Sequence, residues 1–111
     1  VTRAVYPAAE NPFAYPELEE GGLHSWKVPW LVFYGAPRER ENHAVDITAQ
    51  VETKLEAVRV HASQHPDLAG MESAVRSFLR ENAARHGLPK GTSAEVFHVV
   101  GVNTPTTIAG F

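Results

Sequence analysis

The chain has 111 residues, 43% of them hydrophobic and 21% charged, with a net charge of -3; this is one globular domain or part of one. Its ten Lys and Arg residues are scattered and most sit near an acid, which argues against the clustered basic surface that nucleic acid or an anionic membrane requires. Cysteine is absent, so disulfides and thiolate metal sites are excluded, and no apolar run approaches the roughly 20 residues of a membrane helix.

Residues 1–27 contain Pro7, Pro12, Pro16 and the pair Gly21-Gly22, with Pro29 just beyond. Such spacing predicts little regular structure past the first turn or two. The same stretch holds Tyr6, Phe13, Tyr15, Leu18, Leu23 and Trp26. A disordered linker would be poor in aromatics, so an ordered loop that packs on something is expected. Val28 to Tyr34 is continuously apolar apart from Pro29. Continuous hydrophobicity predicts a strand buried on both faces, as in a parallel sheet. Gly35-Ala36-Pro37 ends it, Arg38 to Asn42 is a polar turn, and Ala44 to Ile47 is a short strand-like segment.

Thr48 is placed to cap a helix with the apolar face Val51, Leu55, Val58 and Ala62, stopped by Pro66. A second helix is predicted from about Leu68 or Met71 to His86, with Met71, Val75, Phe78, Leu79 and Ala83 on one face. Gly87 then serves as the left-handed residue past its end, with Pro89 two further on. Ser93 to Val100 reads as a last strand, and 101–111 as a loop-like tail. A strand buried on both faces needs strands and helices on each side. These elements are too few, so the unit is expected to be incomplete and to need a partner surface. The chain begins at Val1 and its only methionine is Met71, which suggests a processed, cleaved or partial product.

Six histidines are candidates for chemistry. His61 and His65 are four apart, a spacing that puts two ligands on one helical face. No third ligand lies at a telling distance, and the preferred reading is a helix-terminal pair at the negative end of the dipole; His86 has the same reading. Ser63 and Gln64 beside His61 lack the orienting group and oxyanion site of a nucleophilic pair. Gly87-x-x-x-Gly91 lies in a loop and is not a phosphate cradle. His43, at the start of a short strand, is the strongest candidate, able to line a pocket and bond a hydroxyl or carboxylate. The alternative is a turn-stabilising His43, with Asp46 capping the helix that follows.

Four segments in order carry a resemblance: Asn11-Pro12-Phe13-Ala14-Tyr15-Pro16-Glu17-Leu18; Asn42-His43-Ala44-Val45-Asp46-Ile47-Thr48; Lys54-Leu55 followed by His61-Ala62-Ser63-Gln64; and Ala94-Glu95-Val96-Phe97. Over about Val5 to Val100 the chain resembles the C-terminal half of the PIG-L/LmbE-like zinc-dependent N-deacetylases. The resemblance implies an α/β chain, the C-terminal part of a Rossmann-like three-layer fold, incomplete alone. It implies one domain portion over 1–111: an ordered loop over 1–27, strands and two helices over 28–100, and a tail over 101–111. The implied enzyme is a cytoplasmic, bacterial hydrolase that removes an N-acetyl or related acyl group from an amino-sugar substrate. Its zinc would be held by two His and one Asp of an N-terminal half that precedes Val1, with an adjacent Asp as general base activating the metal-bound water. That half, or a second chain of the same fold, is the implied partner, and a homo-oligomer is compatible with it.

Within this chain the resemblance leaves no catalytic or metal residue. His65-Pro66-Asp67 lies after a helix and lacks the further Asp and Glu of the family's His-Pro-Asp-Asp-Glu motif, so it is read as a coincidence. His43, Asp46 and Ser93 are the substrate-pocket candidates; Ser93 stands where the family often has Tyr, which puts that group's part in the reaction in doubt. Two other readings stay open: a non-catalytic α/β interaction subunit, and a small metal-binding protein using His43, His61 and His65.

Overall fold

The computed structural model describes residues 1–64 and 66–105. The His61/His65 pairing and the tail beyond Pro105 therefore lie outside the described residues. The chain combines helices with a three-stranded sheet of order β1-β3-β2, formed by β1 (Trp30–Tyr34), β2 (His43–Asp46) and β3 (Ala94–Gly101). β2 runs antiparallel to β3, with His43 opposite Phe97 and Asp46 opposite Ala94. Along β1, Phe33 stacks on His98 and Tyr34 meets Phe97. One partner's number rises as the other's falls, which is antiparallel register. Two compact units share the chain: Val1–Phe33 with His98–Phe111, and Tyr34–Phe97.

In the first unit a helical turn spans Ala4–Ala8 and a short helix, α1, spans Pro16–Glu20. The prolines thus limit helix length here without abolishing it. Pro16 sits at the first helical position, where its missing N–H costs nothing. Long-range polar contacts order the loop. The Trp26 N–H donates to the Ala9 carbonyl at 2.7 Å. The Asn103 amide donates to Glu10 at 3.0 Å and to the Val28 carbonyl at 3.1 Å.

β1 departs from expectation. Trp30, Val32 and Tyr34 are 56%, 53% and 81% exposed, while Leu31 and Phe33 are half-buried. The strand alternates between covered and open faces, and its pairing is antiparallel rather than parallel. It stands at the sheet edge, with Trp30, Val32 and Tyr34 each more than half exposed. Continuous hydrophobicity reported side-chain type, but burial depends on what packs above each face.

In the second unit α2 (Val51–Val60) and α3 (Leu68–Arg85) pack together. Val51, Leu55 and Leu79 form the core, with Ile47 and Val75 against it. Arg59 grips Glu72 through two hydrogen bonds of 2.6 and 2.9 Å, and Arg76 reaches Glu52 at 2.6 Å. α2 ends at Val60, before the expected Ala62, which opens a separate turn over Ala62–Gln64. Thr48 does not cap α2. It opens a 3-10 turn, Thr48–Gln50, and Gln50 holds the cap position. Phe78, expected on the buried face of α3, is half exposed. The end of α3 follows expectation. Gly87 has φ +71, its N–H donates to Ala84, and the Leu88 N–H donates to Ala83. These are the paired bonds that close a helix through a left-handed residue.

Candidate functional site

The Asn42–Thr48 segment is pinned to the start of β3 by its own backbone. The Asn42 N–H donates to the Phe97 carbonyl at 3.0 Å and the Ile47 N–H to the Ser93 carbonyl at 2.8 Å. These bonds bring Asp46 and Ser93 together around Thr48. Asp46 Oδ1 accepts the Thr48 hydroxyl at 2.6 Å and the Thr48 N–H at 2.9 Å. The Thr48 oxygen in turn accepts the Ser93 N–H at 3.0 Å. Asp46 thereby turns the chain toward α2, in the manner typical of Asp before a turn. Accepting both the hydroxyl and the amide hydrogen of Thr48 holds its carboxyl below the ordinary range.

His43 is not part of this lock. It lies at the other end of β2, and because side chains alternate along a strand it points to the face opposite Asp46. Its side chain is exposed. Of the three pocket candidates, two share a hydrogen-bonded turn and the third stands apart. Ser93 is buried at 7% exposure, held by backbone bonds on both sides.

A cavity of about 430 Å³ opens in the same unit, with Tyr34, Phe78, Leu79 and Val96 among its apolar walls and Lys54, Glu95, Asn82 and Glu41 among its polar ones. Lys54 meets Glu95 at 2.6 Å. Asn82 is buried and donates to the Ala94 carbonyl at 3.3 Å. Glu41 accepts from Arg85 at 2.7 Å and faces His86 at 3.5 Å. The Arg85 bond, helped by His86, holds the Glu41 carboxyl below its ordinary range despite the opposing effect of burial. The polar walls are thus ion-paired or hydrogen-bonded, which leaves no nucleophile beside a general base.

Sequence reasoning singled out neither Glu41 nor the Lys54–Glu95 pair. Glu41 is hidden in a polar turn, and its partner Arg85 lies 44 residues away. Lys54 and Glu95 each stand in a segment of the resemblance, and that was the available signal. Three other histidines take structural places. His61 ends α2, His86 ends α3 near Glu41, and His24 bonds Glu19 at 2.7 Å. Asp67 caps α3 by accepting the Gly70 N–H at 2.9 Å. Ser63 is bonded only loosely by Gln64, at 3.5 Å.

Among the described residues no three His, Asp or Glu side chains gather as a metal site would require. The described part of the chain therefore does not fit zinc by itself. No described helix is long and apolar enough to cross a membrane. No protein-family model, curated protein or solved structure matches the chain.

Proposed function

We propose that the chain is the C-terminal part of a Rossmann-like, zinc-dependent cytoplasmic hydrolase that removes an N-acetyl or related acyl group from an amino-sugar substrate. The metal and the general base belong to an N-terminal half or a second chain of the same fold, and the fragment alone is inactive. The observation that carries this reading is the set of four segments in order, from Asn11–Leu18 to Ala94–Phe97. Two of them, 41 residues apart at Lys54 and Glu95, meet in an ion pair.

This chain contributes a wall. His43 is exposed and can bond a sugar hydroxyl through either ring nitrogen. The turn built by Asp46, Thr48 and Ser93 sets the path of the chain behind it. Trp30, Val32 and Tyr34 supply an apolar face for the missing half to cover. That same face supports a second reading, a non-catalytic interaction subunit, in which the partner is another protein.

Denaturing mass spectrometry of the purified protein, followed by zinc analysis and an amide-hydrolysis assay on the complete assembly, separates the two. A longer species or second polypeptide that carries stoichiometric zinc and releases acetate supports the hydrolase. A single species of 12.2 kDa without hydrolysis overturns it in favour of the interaction subunit.

A further inference from the structure

The geometry points to a binding pocket for an organic ammonium group in the first unit, walled by the Tyr15 and Trp26 rings with the Glu19 carboxylate as counter-charge. The pocket has a volume of about 330 Å³ and is formed entirely by residues between Ala4 and Trp26. Its walls are held from behind. The Trp26 N–H bonds the Ala9 carbonyl at 2.7 Å, the Leu23 N–H bonds the Leu18 carbonyl at 2.8 Å, and the Leu18 N–H bonds the Tyr15 carbonyl at 3.0 Å. Leu18, Leu23 and Pro12 complete an apolar lining.

Three observations select the ligand. First, two aromatic side chains line one pocket while staying accessible, Tyr15 at 50% and Trp26 at 69% exposure. The negative face of an aromatic ring attracts a cation, and tryptophan does so most strongly. Second, neither lysine nor arginine lines the pocket, and Glu19 is its only carboxylate. The one imidazole of the lining, His24, is already taken by Glu19, and a lone carboxylate cannot supply the several oxygens a hard metal ion demands. Third, Glu19 is fixed in place, with one oxygen taking His24 at 2.7 Å and the other taking the Ser25 N–H at 3.0 Å. Each oxygen has a further acceptor position. These two bonds also hold its carboxyl below the ordinary range, so the counter-charge persists at neutral pH.

The proposal stands on this pocket and does not rest on the hydrolase reading. An ammonium group is nonetheless what hydrolysis of an N-acyl amino sugar leaves behind.

The test is an NMR titration of the intact protein with tetramethylammonium chloride, following the Trp26 indole and Tyr15 ring signals. tert-Butanol, of similar shape but neutral, is the control, and glucosamine and N-acetylglucosamine are compared. Saturable shifts with tetramethylammonium and glucosamine, but not with the two neutral compounds, are expected. Trp26→Ala weakens binding about fivefold, the loss of one exposed cation–π contact, while its backbone bond to Ala9 can persist. Glu19→Gln, which keeps an acceptor for Ser25, weakens it comparably, and added sodium chloride weakens the wild type by screening the carboxylate. If Trp26→Ala does not fold, Glu19→Gln and the salt series decide. Equal shifts with tert-butanol make the site merely apolar, equal shifts with N-acetylglucosamine make it a neutral sugar platform, and no saturable shift means no site; each overturns the proposal.

Discussion

Arg85, at the end of α3, donates to the carboxylate of Glu41, 44 residues earlier, at 2.7 Å. The Glu41 side chain is only 8% exposed. Two segments remote in sequence are thus joined through a charge that water barely reaches. Replacing Arg85 by Met leaves that carboxylate with His86 at 3.5 Å in place of the shorter bond, and is expected to cost about 1–3 kcal/mol. Urea unfolding of the variant beside wild type measures it. Glu41→Gln costs less, because the amide carries no charge to leave unpaired and Arg85 keeps its contacts to Asn82 and Glu81.

The same pair sets an acid limit. The folded Glu41 has its pKa below the ordinary 4.5. Its contribution is therefore complete above about that pH and lost as pH falls through the folded value, because the unfolded chain takes up the proton first. Glu72, held down by Arg59, acts in the same direction. The urea midpoint should fall on acidification through the carboxylate range, and Glu41→Gln should flatten part of that fall.

The α2–α3 core is small, so each member matters. Leu55→Ala, at a fully buried position, is expected to cost about 2–5 kcal/mol. Val60→Ala, on the same helix but 82% exposed, should stay within about 0.5 kcal/mol of wild type. Thermal unfolding of the two variants distinguishes them.

Thr48 joins Asp46 to Ser93 through one hydroxyl. Thr48→Val keeps the shape and leaves the Ser93 N–H without its acceptor, an expected loss of about 1 kcal/mol. Faster amide exchange at Ser93, with less change at the centre of α3, is the accompanying signature.

His43→Ala separates function from stability. The side chain is exposed, so the urea midpoint should not move. If His43 bonds substrate in the complete enzyme, kcat/KM drops by up to about tenfold, the worth of one hydrogen bond. An unchanged kcat/KM removes His43 from the pocket.

Lysine at position 32 probes the open face of β1. In this chain alone, Val32→Lys is expected to reduce self-association by light scattering, since charge on an edge strand discourages further pairing. In a complete protein whose other half covers that face, the same substitution buries a charge and lowers the thermal midpoint.

Local patterns were enough for elements whose causes are local. The apolar period from Met71 to Ala83 and the glycine at 87 determined α3 and its end, because helix periodicity and a left-handed closing residue act over a few positions. The resemblance brought His43, Asp46 and Ser93 to notice as residue types in order, without their separation in space. Only the tertiary structure decided that Asp46 and Ser93 meet at Thr48 while His43 faces away, and that Arg85 finds Glu41. It also decided that the outer face of β1 stays open, since burial is a property of the neighbours that fold against a residue and not of the residue itself.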